Sequence, residues 1–277
     1  MITFHSKQYN GGYGDRLVGM AAACTLARQL RMTFRVVWDV PIDGPYIDLT
    51  VVNQKTPQIL ETENLRELWS GRHVVIQANM PVDRCLWSNR FFPELKDVSY
   101  ELETIQSYRE IAHFMNTGAE RFVCGVQIRC GDTYCMPHAL AEEYISESSF
   151  EDVSTSIHAY ILKRGLRGKV FVTSDTHKIY PWFDRLSNDD VEYVYTKRID
   201  DIHYDFHTST NRKDEIILEH QRLQQCEKII TGLRSNFGIT AAYCSRVCKE
   251  VIVYPEFESV DTSTTFISKE FSNKTKS

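Results

Sequence analysis

Gly125-Val126-Gln127-Ile128-Arg129-Cys130-Gly131-Asp132 decides how this chain is read. It closes an apolar run that opens at Phe122, and the pattern predicts a buried strand over 122–128 that stops on an arginine, a glycine and an aspartate. In an open α/β sheet, ligands bind beyond the carboxyl ends of the strands. An arginine placed there keeps its charge at any working pH and meets whatever anion the site holds. The same residues also read as an Arg–Asp pair that fixes a loop.

Downstream of this run, helical and strand patterns alternate. Phe150 to Arg164 is a predicted helix closed by Gly165, and Lys169 to Thr173 a strand ending in Ser174-Asp175. A helix over 177–185, a strand over 191–195 and a helix over 213–225 follow. A strand over 228–231, a helix over 236–245 and a strand over 250–254 complete the series. Strands alternating with helices predict a parallel, doubly wound sheet.

Upstream, Ile2 to His5 reads as a strand, Asn10-Gly11-Gly12-Tyr13-Gly14 as a loop, Asp15 to Leu30 as a helix and Arg35 to Trp38 as a strand. This is a second βαβ unit. Further expected elements are a helix over 61–69, a strand over 74–77 and a helix over 98–116 that ends at Asn116-Thr117-Gly118. The expected architecture is α/β, with two Rossmann-like domains facing across a cleft. Residues 1–118 form the first domain and 119–257 the second, with a mobile tail over 258–277 that is rich in Ser, Thr and Lys.

Size and composition narrow the function. The 277 residues suffice for two small domains. A net charge of −5 argues against a nucleic-acid surface, so an anionic ligand needs a local basic site. No basic, apolar leader opens the chain, and no window approaches the roughly 18–20 apolar residues of a membrane span. A soluble, cytoplasmic protein is expected. The eight cysteines are scattered without a CxxC pair, which reads as reduced and mostly buried thiols.

Three strand-to-helix junctions carry candidate chemistry. At Gly11-Gly12-Tyr13-Gly14-Asp15-Arg16, glycines let backbone approach a ligand and a helix start offers N–H groups to an anion. The pattern is neither a dinucleotide fingerprint nor a P-loop, and Asp15 also reads as a helix N-cap. At Thr173-Ser174-Asp175, Asp175 reads either as a base or ribose ligand or as an N-cap. At Leu233-Arg234-Ser235-Asn236-Phe237-Gly238, Ser235 and Asn236 can cap the following helix or present a hydroxyl and N–H groups to a diphosphate. Glu219, on the preceding helix, reads from spacing alone as part of a solvated face.

Three stretches resemble the GDP-fucose-dependent fucosyltransferase superfamily, which groups α1,6-fucosyltransferases, nodulation fucosyltransferases and protein O-fucosyltransferases. Gly11-Gly12-Tyr13-Gly14-Asp15-Arg16-Leu17 is similar to its N-terminal Gly-rich turn. The Gly125–Asp132 run is similar to its His-x-Arg-x-x-Asp motif. Glu219 through Leu223, Cys226–Thr231 and Ser235-Asn236-Phe237 are similar to its third motif. The resemblance implies a GT-B-like fold and an inverting transferase without a metal or other cofactor. GDP-fucose would be the donor substrate and a carbohydrate hydroxyl the acceptor. It places Arg129 on the β-phosphate, Glu219 near the guanine–ribose part and Ser235 on phosphate. Gly12, Tyr13, Gly14, Gln127, Ser174, Asp175, Asn236 and Phe237 join these as donor-site candidates. Gln127 stands where the family has histidine; it donates a hydrogen bond without charge. Glu219 replaces an aspartate, and Arg234 the first serine. Asp15, Asp132, His138 and Glu142 are candidate bases, with Asp15 and Asp132 preferred. The alternatives are a sugar-nucleotide or glycan-binding protein with weak catalysis, or a transferase that uses another nucleotide sugar.

Overall fold

A computed structural model describes residues 2–6, 12–29, 33–38, 74–76, 100–112, 120–131, 144–197, 213–232 and 235–264. The chain divides into two compact units, one mainly from residues 1–116 and one mainly from 117–204 and 215–262.

The first unit holds three parallel strands, β1 (Ile2–Ser6), β2 (Phe34–Trp38) and β3 (Val74–Ile76), in the order β2-β1-β3. Helix α1 (Tyr13–Gln29) packs on β1 and against α2 (Tyr100–Ile111). Phe4, Leu17, Met20, Ala21, Ile105 and Tyr108 are buried there. The short side chains of Ala21 and Ala23 suit close packing, and the Thr25 and Ser107 hydroxyls meet at 2.6 Å between the two helices. Arg28 bridges to Glu110 at 2.6 Å. The expected helix over 61–69 lies outside the described residues.

The second unit is built on a six-stranded sheet: β4 (Cys124–Ile128), β5 (Gly168–Ser174), β6 (Val191–Val194), β7 (Lys228–Gly232), β8 (Glu250–Tyr254) and β9 (Glu258–Asp261). The order is β6-β5-β4-β7-β8-β9, and every pairing is parallel except β8–β9. The helices are α3 (Phe150–Lys163), α4 (Tyr180–Asp184), α5 (Lys213–Gln224) and α6 (Asn236–Cys244). From β4 the chain winds outward through β5 to β6, then returns to pair β7 on the other side of β4. The winding direction reverses between β4 and β7, and such switch points are where doubly wound sheets bind ligands.

All five residues of β4 are buried, as the continuous apolar run required. Gly125 is needed for packing. A Cβ there would stand 2.7 Å from Cys226 Sγ and 2.9 Å from Leu223 Cδ2. Two expectations change. The helix read over 177–185 is a 3-10 turn, His177–Ile179, followed by α4, whose first turn carries Pro181 and its fixed φ. Residues 258–261, expected in the mobile tail, form β9, because Val260 is buried opposite Val251 on β8. One buried residue among polar neighbours is too little periodicity to reveal a strand. The six described cysteines are buried and form no disulfide with one another. Among the described residues, no helix is long and apolar enough to cross a membrane.

Candidate functional site

A cavity of about 480 Å³ opens at the switch point of the second unit. Gln127, Ile128 and Arg129 line it from the end of β4, Gly232 and Ser235 from the β7–α6 junction, and Tyr254, Pro255 and Glu256 from beyond β8. Ser149, Val153 and Ile157 supply its α3 side, and Tyr144 its rim. Polar groups gather at the strand ends and apolar ones beside α3, a usual division for a small-molecule site.

Arg129 is held by its neighbours. Cys130 N–H donates to Asp175 Oδ1 at 2.7 Å, and Gly131 N–H donates to Asp175 Oδ2 at 2.9 Å. The Cys130 carbonyl accepts from the Tyr144 and Ile145 N–H groups at 2.8 and 3.0 Å. Both polar backbone groups of Cys130 are thereby fixed. The Arg129 guanidinium lies 5.5 Å from the Tyr144 ring centroid, a cation–π distance. A backbone this constrained limits where the guanidinium can go.

Asp175 is therefore a clasp. Both carboxylate oxygens receive backbone N–H groups from the neighbouring strand end, and Ser174 Oγ donates to Oδ1 at 3.3 Å. Burial pushes its carboxyl above the usual range, against those bonds and the Arg129 charge, which pull it down. Capping falls to Thr176, whose hydroxyl accepts from Lys178 N–H. Neither Ser174 nor Asp175 lines the cavity.

Ser235 is the N-cap of α6, and its hydroxyl makes no capping bond. It is 3 % exposed and on the cavity wall. The positive end of α6 thus stands beside an uncommitted hydroxyl, a ready anion seat. Asn236 and Phe237 begin the helix; Phe237 meets the His220 ring edge-on at 5.0 Å.

Glu219 is not on a solvated face. It is 1 % exposed, and its Oε2 accepts from the Thr173 hydroxyl at 2.6 Å. Next to it, His220 is fully buried between α5 and α6. Gln224 Nε2 donates to His220 Nδ1 at 2.9 Å, so Nε2 carries the ring proton and donates to Thr240 Oγ1 at 3.0 Å. The Thr240 hydroxyl in turn donates to the Asn236 carbonyl at 2.7 Å. This relay braces the first turn of α6, and sequence reasoning missed it, because a histidine on a polar-looking helix gives no sign of burial.

Burial lowers the His220 pKa from 6.5 to about 3. The unfolded chain takes up that proton near pH 6.5, the folded chain only near pH 3. Its stabilising contribution is therefore complete above pH 6.5 and shrinks as pH falls through that window. The loss approaches about 1.4 kcal/mol per pH unit. Urea unfolding at pH 7.5 and 5.0 should show about 2 kcal/mol lost from this group, with a flatter dependence in His220→Gln. An equally steep profile in that variant would assign the slope to other groups.

In the first unit, Gly12, Tyr13, Gly14 and Asp15 form the start of α1. The Gly12 carbonyl accepts from Arg16 N–H, and Asp15 Oδ2 accepts from Gly12 N–H at 3.2 Å. Asp15 is thus the third helical residue reaching back to the cap, not the N-cap itself. Tyr13 and Arg16 are fully buried. Asp132, His138, Glu142 and Arg234 lie outside the described residues. Among the described residues, no group of three or more His, Cys, Asp or Glu side chains is placed to hold a metal.

No protein-family model matches the sequence, and no curated relative matches it significantly. Solved structures do match. The fucosyltransferase NodZ from Bradyrhizobium superposes with a TM-score of 0.52 at 13% identity, over 94% of this chain and 98% of that one. NodZ α-1,6-fucosyltransferase soaked with GDP-fucose gives 0.50 at 17% identity with the same coverage. A mutant of Arabidopsis thaliana FUT1 in complex with GDP gives 0.57 at 11% identity, over 94% of this chain and 73% of that one. The chain has an α/β fold like that of these three structures.

Proposed function

We propose that this protein is an inverting, metal-independent glycosyltransferase that moves fucose from GDP-fucose to a carbohydrate hydroxyl. The carrying observation is the grouping of Arg129, Gln127 and Ser235 with the α6 N-terminus around one cavity at the switch point. The fold likeness supports the same reading, since NodZ has been soaked with GDP-fucose.

Residues 119–257 take the donor in this reading, and residues 1–118 the acceptor. As the bond from fucose C1 to the diphosphate breaks, negative charge grows on the departing phosphate oxygens while the sugar becomes cation-like. Arg129 offers paired N–H donors to that charge. Ser235 and the first turn of α6 offer a hydroxyl and backbone N–H groups. Preorganised donors of this kind stabilise charge without reorganising during the reaction. Gln127 is a further donor-site candidate, Glu219 is assigned to the nucleoside end of the site, and Asp15 or Asp132 takes the proton from the acceptor hydroxyl.

A thermal-shift panel tests the donor. GDP should raise the melting temperature by mass action, by the equivalent of about 2.7 kcal/mol at 100 times its Kd, with UDP and NAD shifting it much less. A selective response to UDP would overturn the assignment of the donor.

A further inference from the structure

Phe257 adopts a backbone conformation that normally belongs to glycine. Its φ is 55°, and among the described residues it is the one non-glycine residue with a positive φ. A bulky side chain in that left-handed region is strained, and such strain persists only where the surroundings impose it, commonly at ligand clamps. Those surroundings are visible here. The Phe257 ring stacks on Tyr160 of α3 with centroids 4.5 Å apart and planes at 11°, and it meets the Tyr254 ring edge-on at 5.4 Å. Below the turn, β8 and β9 pair from Val253 opposite Glu258, and the Ser259 hydroxyl donates to Glu250.

These anchors fix the turn from Tyr254 to Phe257, and the turn forms one wall of the cavity through Tyr254, Pro255 and Glu256. Glu256 stands between Pro255, whose ring fixes φ, and the constrained Phe257, so its backbone has little freedom. Its side chain is exposed. Among the described residues that line the cavity, it is the one acidic side chain, whereas Val153 and Ile157 on the α3 side are apolar.

We infer that Glu256 binds hydroxyl groups of the sugar carried on the diphosphate and that Phe257 is its positioning residue. The inference rests on the proposed function and adds to it the wall that meets the sugar. Arg129 and Ser235 occupy the diphosphate end, and Glu219, assigned to the nucleoside, is not on the cavity wall. The sugar is bonded to the diphosphate, so it extends into the rest of the same cavity. A 6-deoxy sugar presents several O–H donors and one methyl group. The Glu256 carboxylate accepts from the hydroxyls, and Val153, Ile157 and Tyr254 suit the edge that bears the methyl. The stacked Phe257 ring sets where the carboxylate stands.

Calorimetric titration of the full chain with GDP and with GDP-fucose, no acceptor present, tests this, with urea unfolding of each variant alongside. The readout is the ratio of the two dissociation constants, which isolates the sugar. Glu256→Gln keeps the shape but gives up the charge and one acceptor. It should weaken GDP-fucose binding about tenfold while leaving GDP within about twofold. Phe257→Gly accepts the same φ but loses the ring. It should weaken GDP-fucose binding by a similar factor, and Phe257→Tyr, which keeps the stack, should hold it within about twofold of wild type.

An unchanged ratio in Glu256→Gln would overturn the inference. So would a wild type that binds GDP but not GDP-fucose. A Phe257→Gly variant that lowers the urea midpoint with its ratio intact would reduce Phe257 to packing and overturn its positioning role. Should Phe257→Gly fail to fold, Glu256→Gln, made on an exposed side chain, still decides. Failure of the wild-type chain to bind GDP would sink the proposed function instead, which keeps the two failures distinct.

Discussion

Arg129→Ala should lower the proposed fucose transfer about 10²–10³-fold, equivalent to about 2.7–4 kcal/mol of barrier, the usual effect of removing one preorganised donor from developing negative charge. Arg129→Lys should also be badly impaired. It keeps the charge but loses the planar fork that meets two phosphate oxygens together. The backbone beside it is pinned through Cys130, which holds the strand end that carries Arg129 in place. Steady-state turnover with GDP-fucose, with melting temperature as the folding control, measures the effect. Normal turnover in Arg129→Ala would remove Arg129 from the reaction.

Asp175→Ala should be the most destabilising single change near the site. It strands two buried N–H donors, those of Cys130 and Gly131, at a cost of roughly 1–3 kcal/mol each. The expected loss is about 2–6 kcal/mol. At about 2–4 °C per kcal/mol for a chain of this size, the melting temperature should fall by roughly 4–24 °C. Asp175→Asn should fall between the two, because its amide can accept one N–H but opposes the other with its own donor. Urea unfolding and calorimetry read this directly. A change below about 0.5 kcal/mol in Asp175→Ala would show that solvent reaches those N–H groups and that the clasp is dispensable.

The second unit was legible from sequence because its strands are buried on both faces. Val170-Phe171-Val172, Ile229-Ile230 and Val251-Ile252-Val253 announce themselves as apolar runs, and the helices between them fix a parallel order. Arg129 and Ser235 were visible as residues that end such runs. What stayed hidden depends on contacts between distant positions. Asp175 clasps residues 44 and 45 positions away, so no local pattern separates a clasp from a cap. On α5, Glu219, His220, Gln221 and Gln224 are buried polar residues, which erases the apolar stripe that would mark the packed face. Part of their cost is met by hydrogen bonds that only the fold supplies, such as those of Glu219 to Thr173 and of His220 to Gln224 and Thr240. Likewise Gln127 looked like a simple replacement for histidine until Thr231 appeared opposite it on β7.

The sulfur atoms supply a built-in stopwatch. Burial shifts the thiols of Cys24 and Cys248 up to about 12, and pushes those of Cys124, Cys226 and Cys244 higher than their ordinary value. Alkylating agents and peroxides attack the deprotonated form, which these sites withhold while the native packing lasts. Modification must therefore wait for a spontaneous breathing event. The speed of labelling at each position then times how often that neighbourhood comes apart.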